Sequence, residues 1–132
     1  NFNYLFEEMV YYLNKKDMDN EDICLSGSSP MSIYNLRDCY DIDFFCKTNK
    51  IKFITKKIES YNDYYLNSKF YKKTKLSIQE IFNNDENYFY YNGIKILSLE
   101  ALKSFKLCRN EDKDKIDVRL IDEVLNNENY KC

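Results

Sequence analysis

Asp41 and Asp43 stand two apart in Tyr40-Asp41-Ile42-Asp43-Phe44. On a strand, that spacing sends both carboxylates out of one face. Held about 5 Å apart at an effective dielectric near 20, they repel by ~3 kcal/mol. A cation between them removes that cost, and all-oxygen ligands select magnesium or manganese. Upstream, Leu25-Ser26-Gly27-Ser28-Ser29-Pro30 reads as a strand turning into a helix. Glycine suits the bend, serine caps, and proline fits the first helical turn. Such a turn offers backbone N–H groups and hydroxyls to a phosphate. A phosphate cradle followed by a metal-binding carboxylate pair is what phosphoryl transfer requires.

Gly27-Ser28, a twelve-residue gap and Asp41-Ile42-Asp43-Phe44 together resemble the signature of the nucleotidyltransferase superfamily with the DNA polymerase β-like fold. The tail Tyr88–Leu99, followed by Lys106, Arg109, Lys113-Asp114 and Asp117, looks like that of small bacterial predicted nucleotidyltransferases. Some of those accompany surface-polysaccharide genes and others resemble abortive-infection toxins. Arg37 matches a frequent arginine of these minimal forms. The resemblance implies that Gly27, Ser28 and Ser29 hold the triphosphate. It also implies that Asp41 and Asp43 bind Mg2+ or Mn2+, and that a third acid comes from a later strand. Glu80, in Ile78-Gln79-Glu80-Ile81-Phe82, is the expected third acid, on a short predicted strand. Asp85 and Glu86 read as a solvated turn. The implied reaction moves a nucleoside monophosphate from a nucleoside triphosphate to an acceptor the sequence does not name. Two alternative readings stand beside it: a non-catalytic nucleotide- or protein-binding module on the same fold, and a toxin–antitoxin component with a protein partner.

Other residues have two readings each. Lys106 and Arg109 are one turn apart, either clamping phosphates or standing as solvent-facing helix cations. Arg37 contacts phosphate or pairs with Asp38 or Asp41. Lys69, Lys72, Lys73 and Lys75, interleaved with Phe70 and Tyr71, would meet a polynucleotide acceptor or protect an edge strand. Asp112, Asp114, Asp117 and Asp122 read as helix-start and solvent charges.

The elements that must position these residues follow from periodicity. Phe2, Leu5, Phe6, Met9, Val10 and Leu13 predict an amphipathic helix. Ile23–Ser26 predicts a strand, Met31–Leu36 a short helix and Tyr40–Cys46 a second strand. Thr48 or Asn49 is expected to cap a helix carrying Ile51, Ile54, Ile58, Tyr61 and Tyr65. Tyr88–Tyr91 and Ile94–Leu97 flank Asn92-Gly93, a strong hairpin signal. Ser98 caps a helix with Leu99, Leu102, Phe105 and Leu107. Glu111–Asn127 is a last helix, with Ile116, Leu120, Ile121, Val124 and Leu125 inward. The expected fold is α/β or α+β, one mixed sheet with helices packed on it. The organisation is a single domain over 1–132: a helix and loop over 1–20, the sheet region over 23–97, and C-terminal helices over 98–127.

Size and composition set the bounds. The 132 residues allow one core. Net charge is −2, too even to indicate nucleic acid by bulk electrostatics. No apolar run reaches the ~18 residues of a membrane span. With no histidine, Ser–His triads, histidine zinc sites and papain-like chemistry are excluded. The five cysteines have no CxxC spacing and, without a secretion signal, read as reduced thiols of a cytoplasmic protein. Asn, Lys, Ile and Tyr make up 58 of the 132 residues, as an AT-rich coding sequence would give.

Overall fold

The computed structural model describes residues 2–47, 53–61 and 76–131. Helix α1 (Phe2–Lys15) buries Phe2, Leu5, Phe6, Met9 and Leu13, the stripe its periodicity predicts. Lys15 in the last turn suits the negative end of the helix dipole. A 3-10 turn over Asn20–Asp22, capped by the Asp19 carboxylate, leads into strand β1 (Ile23–Ser26). There follow α2 (Ser29–Ile33), β2 (Ile42–Cys46), β3 (Phe53–Thr55) and β4 (Ile58–Tyr61). After α3 (Ile78–Asn83) come β5 (Tyr88–Tyr91), β6 (Ile94–Leu97), α4 (Leu99–Arg109) and α5 (Asp112–Lys131).

The six strands form one mixed sheet in the order β3-β4-β2-β1-β6-β5. β1 runs antiparallel to β2 and parallel to β6, while β2 runs parallel to β4. The fold is α+β. Asn92 and Gly93 both take positive φ, as a two-residue hairpin turn demands, and β5 and β6 span the predicted residues.

Alternation along the strands divides the core in two. Ile23, Leu25, Ile42, Phe44, Cys46, Ile94 and Ile96 face α1. Cys24, Phe45 and Leu97 face the other way, against Met31, Ile78, Ile81, Phe82, Leu102 and Phe105 of α2, α3 and α4. Both sheet faces are thus covered, which is why these short strands read as continuous apolar runs.

Several expectations are corrected. The helix expected from Ile51 is, over the described residues 53–61, the hairpin β3–β4. Ile54 and Ile58 fit an i, i+4 stripe, but the β-branched Ile58 gains more where β4 pairs with β2. Residues 48–52, 62–65 and the Lys69–Lys75 run lie outside the described residues. The strand expected over Ile78–Phe82 is helix α3. Its buried Ile78, Ile81 and Phe82 follow i, i+3, i+4, and Ser77 caps it by accepting the Glu80 N–H. The helix expected over Met31–Leu36 starts at Ser29 and ends at Ile33, where Asn35 turns to positive φ. Ile116, expected inward, is exposed, and so is Leu107 of the helix that Ser98 caps. Asp114 and Asp117, expected in solvent, are buried.

Candidate active site at the Gly27 turn and the Asp43 strand

β1 ends at Ser26, and Gly27 makes the turn with φ +62°. A Cβ on Gly27 would lie 2.5 Å from Asp43 Oδ2 and 3.3 Å from Asp43 Cγ. The carboxylate therefore rests on the turn, and only a residue without a side chain leaves it room. Ser26 is the register partner of Asp43 across β1 and β2, and its hydroxyl donates to the Asp43 carbonyl at 3.4 Å.

On its other side, Asp43 has Glu59 of β4 as register partner. Side chains at paired positions share a face, on strands about 4.8 Å apart. The sheet thus sets a second carboxylate beside Asp43. The expected helix over this stretch left Glu59 unassigned. The available signal was Ile58-Glu59-Ser60, an acid between a β-branched and a small residue, as in a strand. β2 begins at Ile42, so Asp41 occupies the exposed bend leading into the strand rather than the strand itself.

Cys39 joins the two motifs. Its buried thiol donates to the Asp41 carbonyl at 2.8 Å and lies 3.3 Å from Ser28 Oγ and 3.8 Å from Ser29 Oγ. The serine hydroxyls therefore turn toward sulfur, and Ser29 is buried. What the turn retains for an anion is its backbone, since the first N–H groups of a helix lack intrahelical acceptors.

Glu80 does not lie on a strand beside Asp43. It occupies the first turn of α3, where Ser77 Oγ lies 3.4 Å from its carboxylate and accepts its N–H at 3.1 Å. Arg37 does not pair with Asp38 or Asp41. Its Nη1 donates to both oxygens of Asp117 on α5, at 3.0 and 2.8 Å. Lys106 donates to Asp117 Oδ2 at 2.8 Å and is itself buried, so its ammonium is an internal counter-ion. Arg109 donates to both oxygens of Asp114 at 2.8 and 2.6 Å, and the Glu111 N–H adds a bond at 3.0 Å. Burial pushes the Asp114 pKa up. Arg109, the Glu111 N–H and Lys106 outweigh it and hold the carboxyl below its ordinary value.

A second charged cluster lies on the same sheet. Lys95, buried on β6, donates to the Glu21 carboxylate and to the Glu21 carbonyl at 2.9 Å. Its ammonium sits over Tyr88, Tyr90 and Phe82, 5.1 to 5.7 Å from the ring centres. Burial lowers its pKa, but the bonds to Glu21 and Tyr90 win and leave it raised. Across the β1–β6 pairing, burial pushes the Cys24 thiol far up, which removes it as a nucleophile.

Among the described residues, no three His, Cys, Asp or Glu side chains converge as a ready metal cluster. Magnesium does not require one. It is commonly held by one or two carboxylates, with substrate phosphates and water completing the octahedron. Asp43 and Glu59, hard oxygen donors side by side with a turn too tight for any Cβ, fit that pattern. Among the described residues, no helix is long and apolar enough to cross a membrane. No family model, no curated protein and no solved structure matches the chain.

Proposed function

We propose that the chain is a minimal nucleotidyltransferase, moving a nucleoside monophosphate from a nucleoside triphosphate to an acceptor with Mg2+ or Mn2+. One observation carries this reading: the Gly27 turn presses on the Asp43 carboxylate, and Glu59 stands next in register. Asp43 and Glu59, with Asp41 at the strand entrance, would hold the metal. When bound, the metal neutralises phosphate charge and favours departure of pyrophosphate. The backbone of Gly27–Ser29 holds the β- and γ-phosphates. The acceptor oxygen then bonds to the α-phosphorus, and the bond from that phosphorus to the bridging oxygen breaks. Pyrophosphate leaves with the bonding pair, and the acceptor's proton passes to Glu59. Glu59 replaces Glu80 as the third acid in this reading.

A non-catalytic nucleotide-binding module is the second reading, favoured by the lack of a ready three-carboxylate cluster among the described residues. One assay separates the two: pyrophosphate release with each nucleoside triphosphate and Mg2+, alongside direct binding. Transfer predicts release that Asp43→Asn and Glu59→Gln abolish and Glu80→Gln leaves within twofold. Binding without release in the wild type points to the module or to a missing acceptor, and release that stays absent across sugar-phosphate, RNA and protein acceptors selects the module. Full activity in Asp43→Asn would refute the assignment of Asp43 as a metal ligand.

A further inference from the structure

We propose that Asp117 is a positioning residue for the nucleotide's phosphates, acting through Arg37; the proposal rests on the nucleotidyl-transfer reading above. Asp117 is buried and needs one positive partner to be neutral inside the protein. Lys106, at 2.8 Å, already supplies it. Asp114 is answered in turn by Arg109. Lys106 also stands 3.8 Å from Asp114, so Arg37, Lys106 and Arg109 together set three cations against two buried carboxylates, and Arg37 is the second cation on Asp117. It engages through Nη1, and its side chain stays 39% exposed, so charge and N–H donors are turned toward water.

The place of Arg37 gives this charge a target. Arg37 lies two residues before Cys39, at most ~7 Å of backbone away. The Cys39 thiol is 3.3 Å from Ser28 Oγ in the turn itself. Asp38 and Asp41 are closer in sequence, yet the guanidinium is fixed by a carboxylate 80 positions away on α5. A fork held rigidly by one carboxylate loses little freedom when its outer edge meets a phosphate. The C-terminal helices thus act on the site indirectly. Asp117 and Lys106 form the buried base, and Arg37 is the part that reaches out.

The test uses the full chain and Mg2+ tripolyphosphate, a probe without a base, titrated by calorimetry at a temperature where every variant is folded. Arg37→Gln and Asp117→Asn should each weaken binding about tenfold. The double variant should lose about the same tenfold rather than a hundredfold, because both changes remove one function. Lys103→Met, which breaks the Lys103–Asp122 bridge between the same two helices, should leave binding within twofold. Should Asp117→Asn fail to fold, Arg37→Gln still decides. Wild-type affinity in Arg37→Gln, or additive losses in the double variant, overturns the proposal while the transferase reading stands. A wild type that neither binds the probe nor releases pyrophosphate sinks the transferase reading and this proposal with it.

Discussion

Replacing Gly27 with alanine tests the geometry of the site without assuming any activity. Two costs follow from the structure. The residue has φ +62°, where a Cβ costs about 1–2 kcal/mol in backbone strain. The new methyl would also stand 2.5 Å from Asp43 Oδ2, inside van der Waals contact, so the carboxylate must move. That displacement adds about 1–3 kcal/mol, the usual range for overpacking. The total of roughly 2–5 kcal/mol is a large share of the stability of a domain this size. A thermodynamic cycle isolates the contact: Gly27→Ala measured by urea unfolding in the wild-type and Asp43→Ala backgrounds. The strain term stays in both, and the steric term disappears in the second. Gly27→Ala should therefore cost about 1 kcal/mol less, or better, in the Asp43→Ala background than beside the native aspartate. Equal costs in the two backgrounds would refute the contact. No cost in either would refute the left-handed turn.

Two further predictions concern charge and pH. The depressed pKa of Asp114 contributes stability that is present above the ordinary aspartate value near 3.9 and is lost as pH falls through the folded-state value. Asp114→Asn should flatten the acid limb of a stability–pH curve and cost up to about 3 kcal/mol at pH 7. That is the lower end for a broken buried pair, because Arg109 keeps Glu111 and partial solvent access. Lys95 has the opposite sign: its raised pKa gives stability present below the ordinary lysine value and lost as pH rises through the folded-state value. Lys95→Met should remove the loss seen above about pH 10 while costing less than ~1.5 kcal/mol at pH 7, since an apolar side chain of similar length suits a cage of three rings. Chemical denaturation across pH reads both.

Much of the scaffold was legible in the sequence because its signals are local. The α1 stripe, the Asn92-Gly93 hairpin and the Ser98 cap each depend on residues within one or two turns. Gly27 and Asp43 were legible for the same reason, as short motifs with a mechanism. Glu59 was not, because its significance arises only when β4 pairs with β2 and brings it opposite Asp43. The Arg37–Asp117 bond joins distant positions, and no periodicity announces it. Asp114 and Asp117 looked like solvent charges because acids usually are. Their burial follows from the cations of α2's outgoing connection and of α4 arriving at one face of α5. Glu80 was misplaced by reading an i, i+3, i+4 cluster as a short apolar strand.

The place of β1 in the sheet has a consequence for how the chain is made. β1 is an interior strand, and its two neighbours come from different ends of the sequence: Cys24 pairs with Phe45 on one side and with Lys95 on the other. The first pairing is available as soon as β2 emerges from the ribosome. The second waits for Ile94–Leu97. At about 5–20 residues per second, the edge of β1 that will face β6 stays open for roughly 3–10 s of synthesis. During that interval it is an unpaired apolar strand flanked by Phe44 and Phe45, the kind of edge that recruits other chains. Lower temperature or slower initiation should therefore raise the share of chains that complete the native sheet before they associate.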